Sequence, residues 1–353
     1  MIPVRRFKEN PLITPKDIVP STPGVRALGA FNPGAFVWNY EMCLLVRVSE
    51  APIPPDPDTV VAPYFDFSSG ARELKSWAFS RKDPTYDFSD TRLVKSRDRT
   101  WITSASHLRI ARSKDGIHFK VDEKPTLWPA NEYENLGIED PRVVFLEDRY
   151  LITFSAISRD HGVCSNLVTT QDWKTFEHRG VLFVPDNKDI CIFPERAKGK
   201  YIALHRPSVS MLGMPNLWIA ESDDLVHWGR HECLLKVRPG KWDSARIGCG
   251  PAPILTDAGW LAFYHGSDNT NYYMGAVLLD RENPYRVIAR SEDPIYQPVE
   301  SYEKEGFFAN VVFCNGLIES WGGRVFLYYG AADMCCAGVE VKVKDVLDEL
   351  LKR

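Results

Sequence analysis

The sequence predicts an all-β protein, a five-bladed β-propeller that ends in a short C-terminal helix. The first observation is a repeated turn, in which an aspartate is followed a few residues later by an aromatic side chain. The aspartates of three such turns, Asp115, Asp172 and Asp223, lie 57 and 51 residues apart. The second observation is a hairpin pattern that occurs five times. Self-similarity at a period of about 50 residues, with room for four short strands in each repeat, indicates propeller blades.

Each hairpin copy has an opening segment, usually with a proline, and then two apolar runs joined by a polar turn. The second runs, such as 42–46 and 150–154, are rich in aromatic and β-branched residues, which favour buried strands. Radial closure of five blades leaves few open strand edges, so one domain is expected to cover residues 1–353. The five copies span residues 32–50, 140–159, 193–206, 250–268 and 310–333.

Two segments depart from this regularity. The interval between Pro33 and Pro141 is about twice the others, so residues 51–100 are predicted to hold a blade remainder plus an insertion. The proline-rich segment 51–58 that opens it excludes a helix or a central strand. Residues 344–353 have helical spacing, with apolar residues at 346, 347, 350 and 351 on one face. We expect this helix to pack on the domain and to take no part in the chemistry.

Composition excludes several functional classes. The 353 residues carry a net charge of −4, which provides no basic surface for nucleic acid. No run approaches the ~18 apolar residues of a membrane span. Residues 1–7 lack the apolar core of a secretory signal, so a cytoplasmic protein is expected. The eight cysteines have no regular metal-ligand spacing, and we expect reduced thiols and no metal site.

Charged and polar residues recur where the predicted strands end. The segment 137–142 places Glu139, Asp140 and Arg142 at the start of an apolar strand. In a propeller the equivalent ends of the blades meet at the central channel, so such residues would line one pocket. A ring of this kind suits a polyol or a phosphate, whereas for any single member a structural ion pair is an equally good interpretation. The other members are Arg47, Glu50, Ser158, Arg159, His205, Arg206, Tyr264, His265, Asp268 and Asp333.

Seven short motifs resemble, in order, those of the mannoside phosphorylases of glycoside hydrolase family 130. The resemblance spans essentially the whole chain and implies the five-bladed propeller of that family. It also implies a reaction, in which inorganic phosphate attacks the anomeric carbon of a terminal β-mannoside and inverts it to α-mannose 1-phosphate. The motifs are Phe-Asn-Pro-Gly at 31–34, Leu-Val-Arg-Val at 45–48, the segment 106–113, Gly-Ile-Glu-Asp-Pro-Arg at 137–142, Phe-Pro-Glu-Arg at 193–196, His-Arg-Pro at 205–207 and Tyr-His-Gly at 264–266.

The resemblance also implies roles for individual residues. Asp140 would be the single catalytic acid, relaying its proton to the glycosidic oxygen through the 3-hydroxyl of the mannose. Phosphate replaces an activated water, so a second carboxylate base is unnecessary, and phosphate is a co-substrate with no cofactor implied. The implied partners are the mannoside and phosphate, and a homo-oligomer is left open. The implied phosphate ligands are Arg159, Arg179, Lys188 and His265, and the implied substrate ligands are Asn32, Arg47, His107, Arg109, Glu139 and Asp333.

The sequence leaves the linkage and the acceptor sugar open. The segment 10–47, with the proline-rich segment behind it, looks closest to phosphorylases of β-1,2-linked mannobiose and oligomannans. The alternatives are a phosphorylase of β-1,4-mannosyl-glucose or β-1,4-manno-oligosaccharides, a β-mannosidase, and a carbohydrate-binding propeller without catalysis. Basic residues at 159, 188 and 265 favour phosphorolysis over hydrolysis, and a binding module has no need for the acid Asp140. Acceptor walls are expected around Asp56, at 208–215 and at Tyr272 and Tyr273.

Overall fold

The computed structural model describes residues 2–208 and 212–352. Over these residues the chain forms 25 β-strands, two short α-helices and two 3-10 helices, at Pro15–Asp17 and Glu132–Glu134. The expected mostly-β architecture with a helix near the C-terminus is therefore confirmed.

The strands form six sheets, and one of these has eight strands. Dividing the eight-stranded sheet at its single parallel pairing, Gly137 with Ser106, and setting aside two two-stranded sheets gives five groups in chain order. The first nine strands of the chain are β1 (Val4–Arg6), β2 (Val25–Trp38), β3 (Glu41–Pro52), β4 (Thr59–Asp66), β5 (Glu73–Ser80), β6 (Leu93–Lys95), β7 (Thr100–Ile102), β8 (Ala105–Ser113) and β9 (Lys120–Val121). The first group consists of β2, β3, β8 and β9. Strands β4 to β7 form two hairpins that interrupt this group, and β1 is the N-terminal strand. The second group is β10 (Gly137–Leu146), β11 (Arg149–Ser158), β12 (Gly162–Thr170) and β13 (Glu177–Phe183).

The remaining groups follow the same plan. The third is β14 (Asn187–Ile192), β15 (Tyr201–Pro207), β16 (Leu217–Ser222) and β17 (Trp228–Leu235). The fourth is β18 (Arg246–Cys249), β19 (Ile254–Thr256), β20 (Gly259–Ser267), β21 (Tyr272–Leu279) and β22 (Val287–Arg290). After helix α1 (Ser301–Lys304), the fifth is β23 (Val312–Ser320), β24 (Arg324–Ala331) and β25 (Cys335–Lys342), and helix α2 (Val343–Leu350) follows.

Strands within a group pair antiparallel, and the two chain ends meet in the fifth group. Strand β1 pairs with β25, so a segment from the start of the chain completes a sheet from its end. Arg6 on β1 donates through Nε and Nη2 to the buried carboxylate of Glu303, which also accepts hydrogen bonds from Tyr296 and Tyr329. The first and second groups are joined by one parallel pairing, Gly137 with Ser106.

The hydrophobic core is divided into clusters that lie between neighbouring groups. One cluster packs the first group against the second, and others pack the second against the third, the third against the fourth and the fourth against the fifth. A further cluster, with Val46 from β3 and Tyr328 from β24, packs the fifth group back against the first. Each group therefore buries apolar surface on two neighbours.

A left-handed bulge recurs near the middle of the first strand of three groups. Asn32, Asp140 and Asp189 have φ values of 48°, 52° and 55°, and each lies where the register with the next strand shifts. Asparagine and aspartate adopt this backbone conformation more readily than other residues with a Cβ. The bulge re-aims one polar side chain per strand toward the same end of the molecule.

This geometry corrects two expectations about the repeat. Pro33 and Pro141 were placed at the openings of hairpins, but they lie inside β2 and β10, directly after the bulged residue. A proline fits there because a bulge removes a ladder hydrogen bond that its nitrogen could not donate. In the third aspartate turn the residue that accepts from the turn's backbone is Asp224, whereas Asp223 pairs with Lys200.

Two hairpins lie within the segment between β3 and β8, and the C-terminal helix lies close to its predicted position. The insertion contains the hairpins β4–β5 and β6–β7, which share a small core around Ala62, Phe79 and Val94. Helix α2 buries Val346 and Leu350. It ends at Leu350, so Leu351, which was predicted to belong to the apolar face, lies beyond the helix and is exposed.

All eight cysteines are unpaired in the structure. Among residues 2–208 and 212–352, no helix combines the length and apolarity needed to cross a membrane.

Candidate active site

A cavity of about 290 Å³ lies where the first strands of the five groups converge. It is lined by Phe31 and Asn32 from β2, Glu139 and Asp140 from β10, Lys188 and Asp189 from β14, Arg246 from β18 and Phe313 from β23. Residues far apart in sequence thus share one pocket because they occupy related positions on successive groups. The remaining lining residues are Arg47, Ser49, Arg92, Ile102, Ser104, Arg206, Tyr272, Phe307, Phe308, Val311 and Asp333.

Two side chains hold the carboxylate of Asp140 in this pocket. Asn32 Nδ2 and Arg47 Nη1 both donate to Asp140 Oδ1, over 2.8 Å and 2.9 Å. The two residues come from β2 and β3, on the neighbouring group. Only one oxygen of the carboxylate is occupied in this way, so Oδ2 can meet a ligand.

Arg47 organises the rest of this wall. Its Nη2 donates to Glu139 Oε1 over 2.6 Å and its Nε donates to Ser106 Oγ over 3.0 Å. The guanidinium carbon lies 4.7 Å from the centre of the Phe31 ring, as in a cation–π contact. One arginine therefore holds two adjacent carboxylates in fixed positions, and Glu139 is committed to that arginine.

The two aspartates that share Arg47 titrate in opposite directions. Burial would raise the pKa of Asp140, but the charges of Arg47 and Lys188 and the hydrogen bond from Asn32 outweigh it, so the pKa lies below its ordinary value. For Asp333, burial prevails over Arg47, and the nearby charges of Asp140 and Glu139 add to it, which raises its pKa to about 6. Asp140 is therefore ionised in the free protein, whereas Asp333 keeps its proton up to about pH 6.

Three further cations, Lys188, Arg206 and Arg246, line the cavity. Lys188 on β14 pairs in register with Arg206 on β15, and Arg246 lies on β18. Arg246 Nη1 donates to Tyr272 Oη over 3.2 Å, and its buried Nε has no partner among the described residues. Three basic side chains and a tyrosine hydroxyl in one cavity form an arrangement that binds a polyanion.

Below the pocket, Arg142 and Asp189 join three of the groups. Arg142 on β10 donates to the carbonyl of Cys249 over 2.7 Å, to that of Gly250 over 3.0 Å and to that of Asp140 over 3.1 Å. Its Nη2 also lies 3.4 Å from Asp189 Oδ1 on β14. These contacts hold the first strands of the second, third and fourth groups at fixed distances.

The structure brings together several of the residues that the sequence singled out. Asp140, Glu139, Asn32, Arg47, Asp333 and Lys188 all line the cavity. His265 lies behind the lining, 1% exposed, with Nε2 3.2 Å from Asp189 Oδ2 and its ring 4.2 Å from that of Phe313. Burial lowers the pKa of His265 despite the neighbouring aspartate, so the ring is neutral near pH 7.

His107 and Arg109 do not reach the cavity, which corrects their placement as substrate ligands. Arg109 donates from Nε to His107 Nε2 over 3.1 Å and from Nη1 to the carbonyls of Val19 and Glu123. Both side chains are fully buried. The hydrogen bonds of both side chains are made within the protein, and neither side chain lines the cavity.

Arg159 and Arg179 also lie away from Asp140, which corrects their placement as phosphate ligands. Arg159 pairs with Asp160 and lies over Trp77, beside a separate hollow. Arg179 pairs with Glu177 on β13, which is three strands from β10 and so about 14 Å outward. Neither arginine lines the cavity that holds Asp140.

Sequence reasoning gave no phosphate or substrate role to four charged lining residues, Arg92, Asp189, Arg206 and Arg246. Asp189 occupies the same bulge as Asn32 and Asp140, but isoleucine follows it instead of proline, so the motif was not visible. Arg206 is one of the strand-end residues of the sequence analysis. It pairs with Lys188, the residue before the bulge, just as Arg47 pairs with Phe31. Arg246 and Arg92 had no signal in the sequence. Arg92 comes from the insertion, where Asp90 holds its guanidinium through two hydrogen bonds over Phe308.

A pocket that places buried Asp140 among amide and carboxylate groups for hydroxyls, together with the cations Lys188, Arg206 and Arg246, has the chemistry of a carbohydrate-active enzyme that also accepts an anion. Among the described residues, no group of three or more histidine, cysteine, aspartate or glutamate side chains is placed to hold a metal ion.

Comparison with known proteins agrees with this class. The family model of glycoside hydrolase family 130, described as beta-1,4-mannooligosaccharide phosphorylase, matches residues 94–352. A beta-1,2-mannobiose phosphorylase from Listeria innocua is 47% identical over 352 residues, which is 98% of each chain. A 1,2-beta-oligomannan phosphorylase from a Thermoanaerobacter species is 40% identical over 247 residues, 68% of this chain and 80% of that protein.

The solved structure of the Listeria innocua protein, in complex with beta-1,2-mannobiose, superposes with a TM-score of 0.93. The match covers 98% of this chain and 99% of that chain at 47% identity. The chain therefore belongs to glycoside hydrolase family 130, and it is an enzyme of that family.

We predict that Asp333→Asn removes a pH-dependent loss of stability. Because the folded protein binds the Asp333 proton more tightly than the unfolded chain, the stability from this group is full below pH 3.8 and is lost as the pH rises through about 6. An amide cannot ionise, and asparagine tolerates the φ of 52° at this position. The melting temperature of the variant relative to wild type should therefore rise by several degrees between about pH 4 and about pH 7. A difference that does not vary with pH would contradict this account.

Proposed function

We propose that this enzyme catalyses the inverting phosphorolysis of β-1,2-linked mannobiose, or of short β-1,2-oligomannosides, to α-mannose 1-phosphate and a shortened acceptor. The observation that carries the proposal is that Asp140 and the three cations Lys188, Arg206 and Arg246 line one cavity. An acid beside an anion site is what phosphorolysis requires, since a phosphate oxygen takes the place of water as nucleophile.

The terminal mannose lies between Asn32, Arg47, Asp140 and Asp333 in this proposal. These residues supply donors and acceptors around one ring, and Asn32 Oδ1 is buried without a protein partner, so it can accept from a sugar hydroxyl. Asp140 protonates the glycosidic oxygen, through the 3-hydroxyl as the family mechanism implies. The bond between the anomeric carbon and that oxygen breaks with its electrons moving to the oxygen, while a phosphate oxygen forms the new bond from the opposite face.

Phosphate binding also prepares the acid. In the free protein Lys188 and Arg47 keep Asp140 ionised, which is unfavourable for a proton donor. A bound dianion pairs with Lys188 and adds negative charge nearby, so it shifts the pKa of Asp140 upward. The acid is therefore protonated more readily when the nucleophile is in place, which favours productive encounters of both substrates.

Hydrolysis is a poorer fit to the same pocket. An inverting hydrolase needs a second carboxylate as base on the nucleophile side. The carboxylate available on that side is Asp189, whose oxygens already meet Arg206 and Arg142. Because Arg206 and Arg142 neutralise Asp189, the cations on this side of the pocket suit a phosphate dianion better than a water molecule.

The β-1,2 linkage is favoured by the relatives, and the insertion offers a wall for the acceptor. Arg92, Ile102 and Ser104 approach the cavity from this insertion and its exit, and Tyr272 faces it from the fourth group. Of the other expected acceptor walls, Asp56 caps an exposed turn, Tyr273 bonds Asp268 and Asn271, and part of 208–215 lies outside the described residues. Recognition of a β-1,4-linked manno-oligosaccharide or mannosyl-glucose is the alternative.

The architecture and setting belong to the same proposal. We infer that the five groups are the blades of one β-propeller spanning residues 1–353, since each packs on two neighbours and the fifth packs on the first. Residues 51–100 carry the insertion within the first blade, β8 and β9 complete that blade, and helix α2 packs outside. We further propose a cytoplasmic enzyme that needs no cofactor beyond its co-substrate phosphate and that is free to form homo-oligomers.

Cleavage of β-1,2-mannobiose with and without inorganic phosphate tests the proposed reaction. We expect α-mannose 1-phosphate, seen by phosphorus NMR, in the presence of phosphate and no cleavage in its absence. Equal release of free mannose under both conditions would identify a β-mannosidase, and binding without cleavage would identify a carbohydrate-binding protein. β-1,4-Mannobiose run in parallel decides the linkage.

Asp140→Asn should lower turnover by about 10²–10⁴-fold, because the amide keeps the shape of the acid but has no acidic proton to donate. The affinity for β-1,2-mannobiose, measured by calorimetry, should stay within about tenfold, since the amide oxygen can still accept from Asn32 and Arg47. A modest loss of turnover would assign the acid to another group, with Glu139 the first to examine through Glu139→Gln.

Lys188→Ala and Arg246→Ala should each raise the Michaelis constant for phosphate by about tenfold to a hundredfold, with a smaller effect on the mannoside. A charge-assisted hydrogen bond to a dianion contributes roughly 1.5–3 kcal/mol, and each 1.4 kcal/mol is a factor of ten. Arg159→Ala and Arg179→Ala are the matched controls, because both arginines pair with carboxylates outside the pocket. A phosphate effect in the controls but not in the lining variants would reverse the assignment.

A further inference from the structure

Asp189 is a buried carboxylate that the proposed chemistry does not use directly. It lies between the first strands of the second and fourth groups, 1% exposed, on the bulge that follows Lys188. A carboxylate facing an anion site repels the ligand, so its position there requires a reason. The contacts of its two oxygens supply one.

Each oxygen of Asp189 meets a cationic or hydrogen-bonding side chain. Oδ2 accepts from Arg206 Nε over 2.7 Å and lies 3.2 Å from His265 Nε2, and Oδ1 lies 3.4 Å from Arg142 Nη2. Because Arg206 uses Nε for this contact, its terminal nitrogens are left for the pocket that it lines. Arg142 is tied in turn to the carbonyl of Asp140.

The fit around this carboxylate is tight. A Cβ added at Gly248 on β18 would lie 2.5 Å from His265 Nε2 and closer still to Asp189 Oδ2. Glycine at this position therefore keeps open the space in which the carboxylate and the imidazole meet. The backbone of Gly248 does not require glycine for conformational reasons, since it is not among the positive-φ residues.

We propose that Asp189 is the positioning residue of the phosphate site, fixing the direction of Arg206 and, through Arg142, the distance between that site and Asp140. The proposal rests on the phosphorolysis proposed above. Orientation and charge make opposite predictions. If Asp189 acted only as a nearby negative charge, its removal would tighten phosphate binding, whereas loss of orientation weakens it.

Asp189→Asn tests this directly, because asparagine tolerates the left-handed backbone and keeps one acceptor oxygen. We expect the dissociation constant of inorganic phosphate, measured by calorimetry on the whole protein without mannoside, to rise about tenfold or more. The Michaelis constant for β-1,2-mannobiose should change by less than about threefold. Asp243→Asn is the matched control, because Asp243 is equally buried, pairs with Arg238 and Arg290, and does not line the cavity. The Asp243→Asn variant should have a lower melting temperature. Its ratio of the phosphate dissociation constant to the Michaelis constant for β-1,2-mannobiose should be unchanged.

Gly248→Ala provides a second route that leaves every charge in place and would also decide the matter if Asp189→Asn failed to fold. It should weaken phosphate binding in the same direction, while Gly229→Ala, where a Cβ meets nothing within 4 Å, should not. Wild-type or tighter phosphate binding in a folded Asp189→Asn or Gly248→Ala protein would overturn the inference, as would an equal loss for both substrates. Failure of the wild-type enzyme to bind phosphate at all would instead overturn the proposed function.

Discussion

Charge at the centre of this protein is compatible with folding only because each buried ion has a partner of opposite sign or a carbonyl. Removing a partner from such a pair costs several kcal/mol, so the arrangement is strongly determined. Arg142 shows the consequence, since its guanidinium reaches Asp140, Asp189 and the carbonyls of Cys249 and Gly250 at once. The same contacts that neutralise the charge also set the spacing of three groups of strands around the pocket.

The repeated bulge explains how one architecture supplies different chemistry at equivalent positions. Asn32, Asp140 and Asp189 share a backbone conformation and a place on the first strand of their groups. Their surroundings differ, so in our proposal the first binds sugar, the second donates a proton and the third orients an arginine. Similarly, Arg47 and Arg206 occupy matching places on the second strands, where one holds the acid and the other faces the anion.

Electrostatic asymmetry within the pocket follows from these positions. Arg47 lowers the pKa of both Asp140 and Asp333. The charge of Lys188 and the hydrogen bond from Asn32 lower the pKa of Asp140 further, whereas burial and the charges of neighbouring carboxylates raise that of Asp333. The protein thereby separates the titration of two aspartates in one cavity. Binding of an anion by the cations of the cavity alters that balance, which links the two substrates through the charge state of Asp140.

The sequence by itself determined the mostly-β class, the helix near the C-terminus and the central importance of the segment 137–142, because strand periodicity and the recurring turns are local properties. It also identified Asn32, Arg47 and Lys188, whose neighbours carry recognisable motifs. Only the tertiary structure decided that Arg159, Arg179, His107 and Arg109 lie outside the pocket, and that Arg246 and Asp189 line it. The physical reason is that pocket membership depends on register and on which strand of a group is innermost. Those relations arise from pairing between distant segments, and a single residue's type does not encode them.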